Sequence, residues 1–138
     1  MKYALLATTA IVLATAAASA QTVTRTDLAS AGSLNIDTGL VSATSTTLSF
    51  LNDGATLLVI RNTGGSAVTA TAQPAITEVN LPDVGRVSLT TVAVSIASNT
   101  RAVFGPFPTG RWNDAAGMAN VTLSTLTNVS AGAIRAGR

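Results

Sequence analysis

Residues 52–72 read NDGATLLVIRNTGGSAVTATA, and their reading decides the fold class. Asn52-Asp53-Gly54 is a turn signal, because Asp-Gly suits the positive backbone angles of tight hairpins. Thr56 to Asn62 (TLLVIRN) is a continuous apolar run, consistent with a strand buried on both faces. Gly64-Gly65 makes the next turn, and Ala67 to Gln73 then alternates, with Val68, Ala70 and Ala72 on one face. Pro74 ends that strand, since proline has no N–H to give to a ladder. The period is that of strands, not helices.

The same punctuation continues outward. Upstream, Ser45 to Leu51 ends in Ser49-Phe50-Leu51, and Thr22 to Val41 is polar and weakly patterned. Residues 21–45 therefore read as an extended polar arm or an edge strand. Downstream, Ile76 to Leu81 is closed by Pro82-Asp83 and Gly85. Arg86 to Ile96 holds two alternations, Val87/Leu89 and Val92/Val94/Ile96, whose change of parity near Thr90-Thr91 predicts a bulge or break. Ser98-Asn99-Thr100 turns the chain into a strand from Arg101 to Phe104, and Gly105-Pro106-Phe107-Pro108-Thr109-Gly110 excludes regular structure by its glycines and prolines. Val121 to Leu126 and Ala131 to Ala136 read as the last strands. The sum is an all-β domain over 46–138: a small β-sandwich or jelly-roll-like barrel of about seven or eight short antiparallel strands.

What is missing narrows the function. The chain has no histidine and no cysteine, so the commonest general base, the commonest transition-metal ligands and the most reactive nucleophile are absent. The sole lysine, Lys2, lies in the N-terminal apolar segment, which leaves hydroxyl nucleophiles without a base. No P-loop, G-x-S-x-G or G-x-G-x-x-G occurs. The expectation is no enzyme, no cofactor and no small-molecule substrate. Charged residues are 10% of the chain, against a usual ~25%. The seven arginines are scattered, so no patch concentrates positive charge as nucleic acid requires. Met1 to Ala20 (MKYALLATTAIVLATAAASA) places one cation before an apolar run and Ala18-Ser19-Ala20 before Gln21, the layout of a secretory signal peptide.

Two stretches, NDGATLLVIRNTGGSAVTATA at 52–72 and GPFPTGRWNDAAGMANVTLSTLTNVSAGAIR at 105–135, resemble a family of small all-β tailed-phage virion proteins described as head decoration, cement or minor capsid proteins. The order of these words matches from about Thr24 to Arg138. The resemblance implies a virion structural protein whose partners are capsid protein or copies of itself in a homo-oligomer, with a trimer favoured.

Phe104, Phe107 and Trp112 hold three of the five aromatic residues. Phe107, Arg111 and Trp112 are the candidate interface, because Trp, Phe and Arg dominate binding energies; the competing reading is a corner whose aromatics plug the β core. Phe104 is expected in the core, and Arg111 and Trp112 exposed. Asp53, Asp83 and Asp114 sit in turns, where aspartate routinely caps the backbone; they would share a calcium ion only if their loops converged. Two functional expectations follow. The first is a capsid decoration or minor capsid component located in the virion. The alternative is a secreted bacterial surface or extracellular β-domain, a fibre or adhesin subunit cut after Ala20, with Phe107 and Trp112 as platforms if it binds carbohydrate.

Overall fold

A computed structural model of the chain describes residues 19–28 and 35–135. The segment 1–18, and with it nearly all of the signal-peptide-like stretch, lies outside the described residues. Strands β1 (Gln21–Thr22), β2 (Arg25–Asp27) and β3 (Val41–Ser42) come first, with a 3-10 turn at Ile36–Gly39 before β3. Next are β4 (Thr47–Leu51), β5 (Thr56–Asn62), β6 (Val68–Gln73), β7 (Glu78–Leu81) and β8 (Gly85–Ser88). Then follow β9 (Val92–Ile96), β10 (Thr100–Phe104), one helical turn α1 (Thr109–Trp112), β11 (Met118–Leu123) and β12 (Val129–Arg135).

One sheet runs β1-β4-β11-β6-β9. The other runs β10-β5-β12-β2, with β3 also paired to β12, and β7 and β8 form a separate hairpin. From β4 to β6, and again from β9 to β12, each successive strand changes sheet. The two sheets enclose one core, in which Leu48, Phe50, Ala70, Ala72 and Val121 of the first meet Leu58, Ile60, Ala131 and Ala133 of the second. The inward positions fall at every second residue, as a pleated strand requires. Each fully buried Leu, Ile or Phe stabilises the fold by about 1.5–3 kcal/mol.

The reason β5 reads as unbroken apolar sequence is now visible. Its Leu58 and Ile60 face the core, while Val59, 1% exposed, looks the other way. The turn at Ile36–Gly39 lies against that outer face. Gly132 stands opposite Val59 in the ladder, and a Cβ there would be 2.8 Å from the Gly39 carbonyl oxygen. Asp37 completes the contact by pairing with Arg101 at 3.3 Å and Arg61 at 3.8 Å.

Several sequence expectations change in detail. Among the described residues the strands number twelve rather than about seven or eight, because β1, β2 and β3 are too short to show an alternation. Two pairings, β1 with β4 and β2 with β12, are parallel. Within 21–45 the described residues include the short strands β1, β2 and β3 and the turn at Ile36–Gly39, and Val23 enters the core. Residues 109–110, expected to be irregular, open α1 instead; proline at the preceding position leaves no N–H that the turn would need. The parity change at Thr90-Thr91 is a true break: β8 belongs to the separate hairpin and β9 to the large sheet.

Candidate interaction surface

The sandwich is tied at both ends by buried asparagines, each opening an Asn-x-Gly turn. At one end the Asn62 side-chain amide donates to the carbonyls of Ser66 (2.8 Å), Ala97 (3.1 Å) and Ile96 (3.2 Å). Its Oδ1 accepts from the Gly64 N–H at 2.9 Å. At the other end Asn52 donates to the Phe107 carbonyl at 2.8 Å and to Asn113 Oδ1, and accepts from Gly54 N–H. Asn113 returns a bond to the Asn52 carbonyl. These side chains fasten loops that the ladders do not reach, and burial is tolerated because both ends of each amide are paired.

That second end carries the aromatic corner. Phe107 and Trp112 are 4% and 6% exposed. Phe107 meets Phe50 edge-on at 5.3 Å and Trp112 at 5.8 Å, favourable geometries for ring quadrupoles. The expectation of an exposed Trp112 is thereby corrected. The single turn of α1 swings its last residue inward, beneath Arg111, whose guanidinium lies 4.6 Å from the Trp112 ring centroid. Phe104 is in the core, as its strand position suggests.

Arg111 is half-buried and works as a fastener. Its Nη2 donates to the Thr90 carbonyl at 2.6 Å, and its own carbonyl accepts from the N–H groups of Ala75 and Ile76. Both roots of the β7–β8 hairpin are thus held by one residue, with the Leu89 N–H to Thr77 carbonyl bond (2.7 Å) above it.

The turn aspartates stay apart in their roles. Asp53 pairs with Arg25 at 3.5 Å and with Arg135, locking the 52–55 turn to β2 and β12. The Ala55 N–H, then the Arg135 guanidinium, the Thr56 hydroxyl and Arg25 hold its carboxyl below the ordinary carboxylate value, against an opposing push from desolvation. Asp114 accepts from Ala116 and Met118 N–H within its own turn. Asp83 adopts φ 67° at the hairpin tip. Among the described residues no three His, Cys, Asp or Glu side chains gather where they would hold a metal.

Apolar surface is concentrated elsewhere. Every residue of β7 is exposed, and Val79, Leu81 and Val84 stand out on the hairpin, Val84 at 71%. Beside its root, between the edges of the two sheets, a groove of about 260 Å³ is lined by Val92, Val94, Phe104, Pro106, Phe107 and Trp112. The sequence reading put its candidate interface on Phe107, Arg111 and Trp112 and did not single out this hairpin. The signal was present in Val79, Leu81 and Val84, but nothing local distinguishes these valines and leucine from core residues. Among the described residues, no helix is long and apolar enough to cross a membrane. Comparison with family models, curated proteins and solved structures finds no match to this chain.

Proposed function

We propose that this chain is a non-enzymatic virion structural protein, a capsid decoration, cement or minor capsid component that binds capsid subunits or copies of itself through its β-domain surface. The observation that carries this reading is the β7–β8 hairpin, which holds Val79, Leu81 and Val84 in solvent on roots fastened by Arg111. Apolar side chains presented on a fixed scaffold favour contact with a second surface. The resemblance of the words at 52–72 and 105–135 to tailed-phage virion proteins supports a capsid as that surface.

The test is the copy number of the chain in gradient-purified particles, by quantitative mass spectrometry, with and without Val79→Ser, Leu81→Ser and Val84→Ser together. Stoichiometric presence that falls with the triple substitution supports the reading. Absence from particles overturns it.

One observation favours a second reading, an exported surface or extracellular β-domain: the Met1 to Ala20 segment with its Ala18-Ser19-Ala20 end. An intact mass beginning at Gln21 in the extracellular fraction would favour export. The carbohydrate-binding form of this reading loses its platforms, because Phe107 and Trp112 lie inside the core.

A further inference from the structure

Strand β9 ends the sheet that begins with β1, and natural sheet edges are normally defended by charge, proline, a bulge or brevity. The other edges follow that rule: β1 and β3 have two residues each, β2 has three, and β10 carries Arg101. In contrast β9 reads Val92-Ala93-Val94-Ser95-Ile96, five residues without charge or proline. Among the described residues it is paired on one side, to β6.

The ladder fixes which way its side chains point. Val92, Val94 and Ile96 stand opposite Ala72, Ala70 and Val68, all three of which belong to the core. Those three positions of β9 therefore face the core side, and Ala93 and Ser95 face out. Yet cover is lost along the strand, from Ile96 at 1% exposure to Val92 at 45%, where the groove opens.

We propose that β9 pairs antiparallel with β9 of a second copy about a two-fold axis through Val94, joining two sheets edge to edge and covering both grooves. The strand is self-complementary in this register. Val94 meets Val94, Val92 meets Ile96 on the core side, and Ala93 meets Ser95 on the outer side, so no like charges face each other. The pairing rests on the assembling role proposed above and names its partner as a second copy; two-fold closure replaces the expected trimer with a dimer.

Sedimentation velocity of the full chain tests it. The expected species is a dimer. Ala93→Lys with Ser95→Lys puts like charges opposite each other at two exposed positions and raises the dimer dissociation constant at least about tenfold, whereas Ala93→Lys with Ser95→Glu sets opposite charges there and keeps it within about threefold. A monomeric chain, a trimer, or a dimer that responds alike to both double substitutions overturns the proposal. A second measurement does not depend on those variants folding. The chain has no cysteine, so Val94→Cys on the axis gives a disulfide-linked dimer on mild oxidation, and Val92→Cys gives far less. Equal cross-linking of the two, or none, overturns the register. A β9 dimer absent from particles would remove the capsid assignment alone, and a particle-bound monomer would remove the pairing alone.

Discussion

Replacing Asn62 with alanine removes the fastening at one end of the sandwich. The residue is fully buried, and its amide serves the carbonyls of Ser66, Ile96 and Ala97 while Oδ1 serves Gly64 N–H. Two amide hydrogens divided among three carbonyls, plus one accepted bond, amount to about three net hydrogen bonds at ~1 kcal/mol each. Asn62→Ala should therefore cost about 3 kcal/mol, partly recovered where water reaches the Ser66 and Ala97 carbonyls. In a domain of this size that lowers Tm by roughly 10 °C. Asn62→Asp is the sharper probe: the shape is kept, but a carboxylate faces three carbonyl oxygens in a buried site. It should destabilise more than alanine at neutral pH, and the excess should shrink in acid, where the protonated carboxyl can donate again. Urea unfolding at two pH values measures both. A loss under about 1 kcal/mol for Asn62→Ala, or an aspartate no worse than alanine at neutral pH, would refute the assignment of this amide as a structural tie.

Three further outcomes follow from the same geometry. Gly132→Ala places a methyl 2.8 Å from the Gly39 carbonyl and 3.0 Å from a Leu40 methyl, and should cost about 1–3 kcal/mol in chemical denaturation, lifting the Ile36–Gly39 turn off β5. Asp53 has a depressed folded pKa, so its stabilisation is complete above the unfolded carboxylate pKa and fades as pH falls through the lower folded value. Asp53→Asn should thus melt below the unsubstituted chain at neutral pH and converge with it in strong acid. Arg111→Ala removes the guanidinium bond to the Thr90 carbonyl but keeps the main-chain carbonyl that serves Ala75 and Ile76. It should therefore speed amide exchange at Leu89 more than at Ala75 and Ile76 while leaving the protection of β5 and β12 unchanged; slowed or unaltered exchange at Leu89 would count against its side chain as a fastener.

How far the sequence could be read shows in particular residues. The alternation of Val68, Ala70 and Ala72, the turn at Asn52-Asp53-Gly54 and the stop at Pro74 are local facts, and they were sufficient for an all-β fold and several strand limits. The parity change at Thr90-Thr91 carried the boundary between hairpin and sheet, though not its meaning. The segment 21–45 left its arm and edge-strand readings open, because strands of two or three polar residues have no period to detect. Trp112 could not be placed, since its direction depends on one turn of helix and on Phe107, which is itself seated against Phe50 from a distant part of the chain.

Strand character was thus written in neighbouring residues, because pleat and turn propensities act over two to five positions. The chain's chemical poverty was equally plain from residue types alone. Which strands meet, that Val59 is covered by a turn while Val92 is not, and that apolar side chains stand free on β7–β8 were decided by tertiary packing. Burial is a property of what comes to lie on a face, and a valine carries no mark saying whether another part of the chain will reach it.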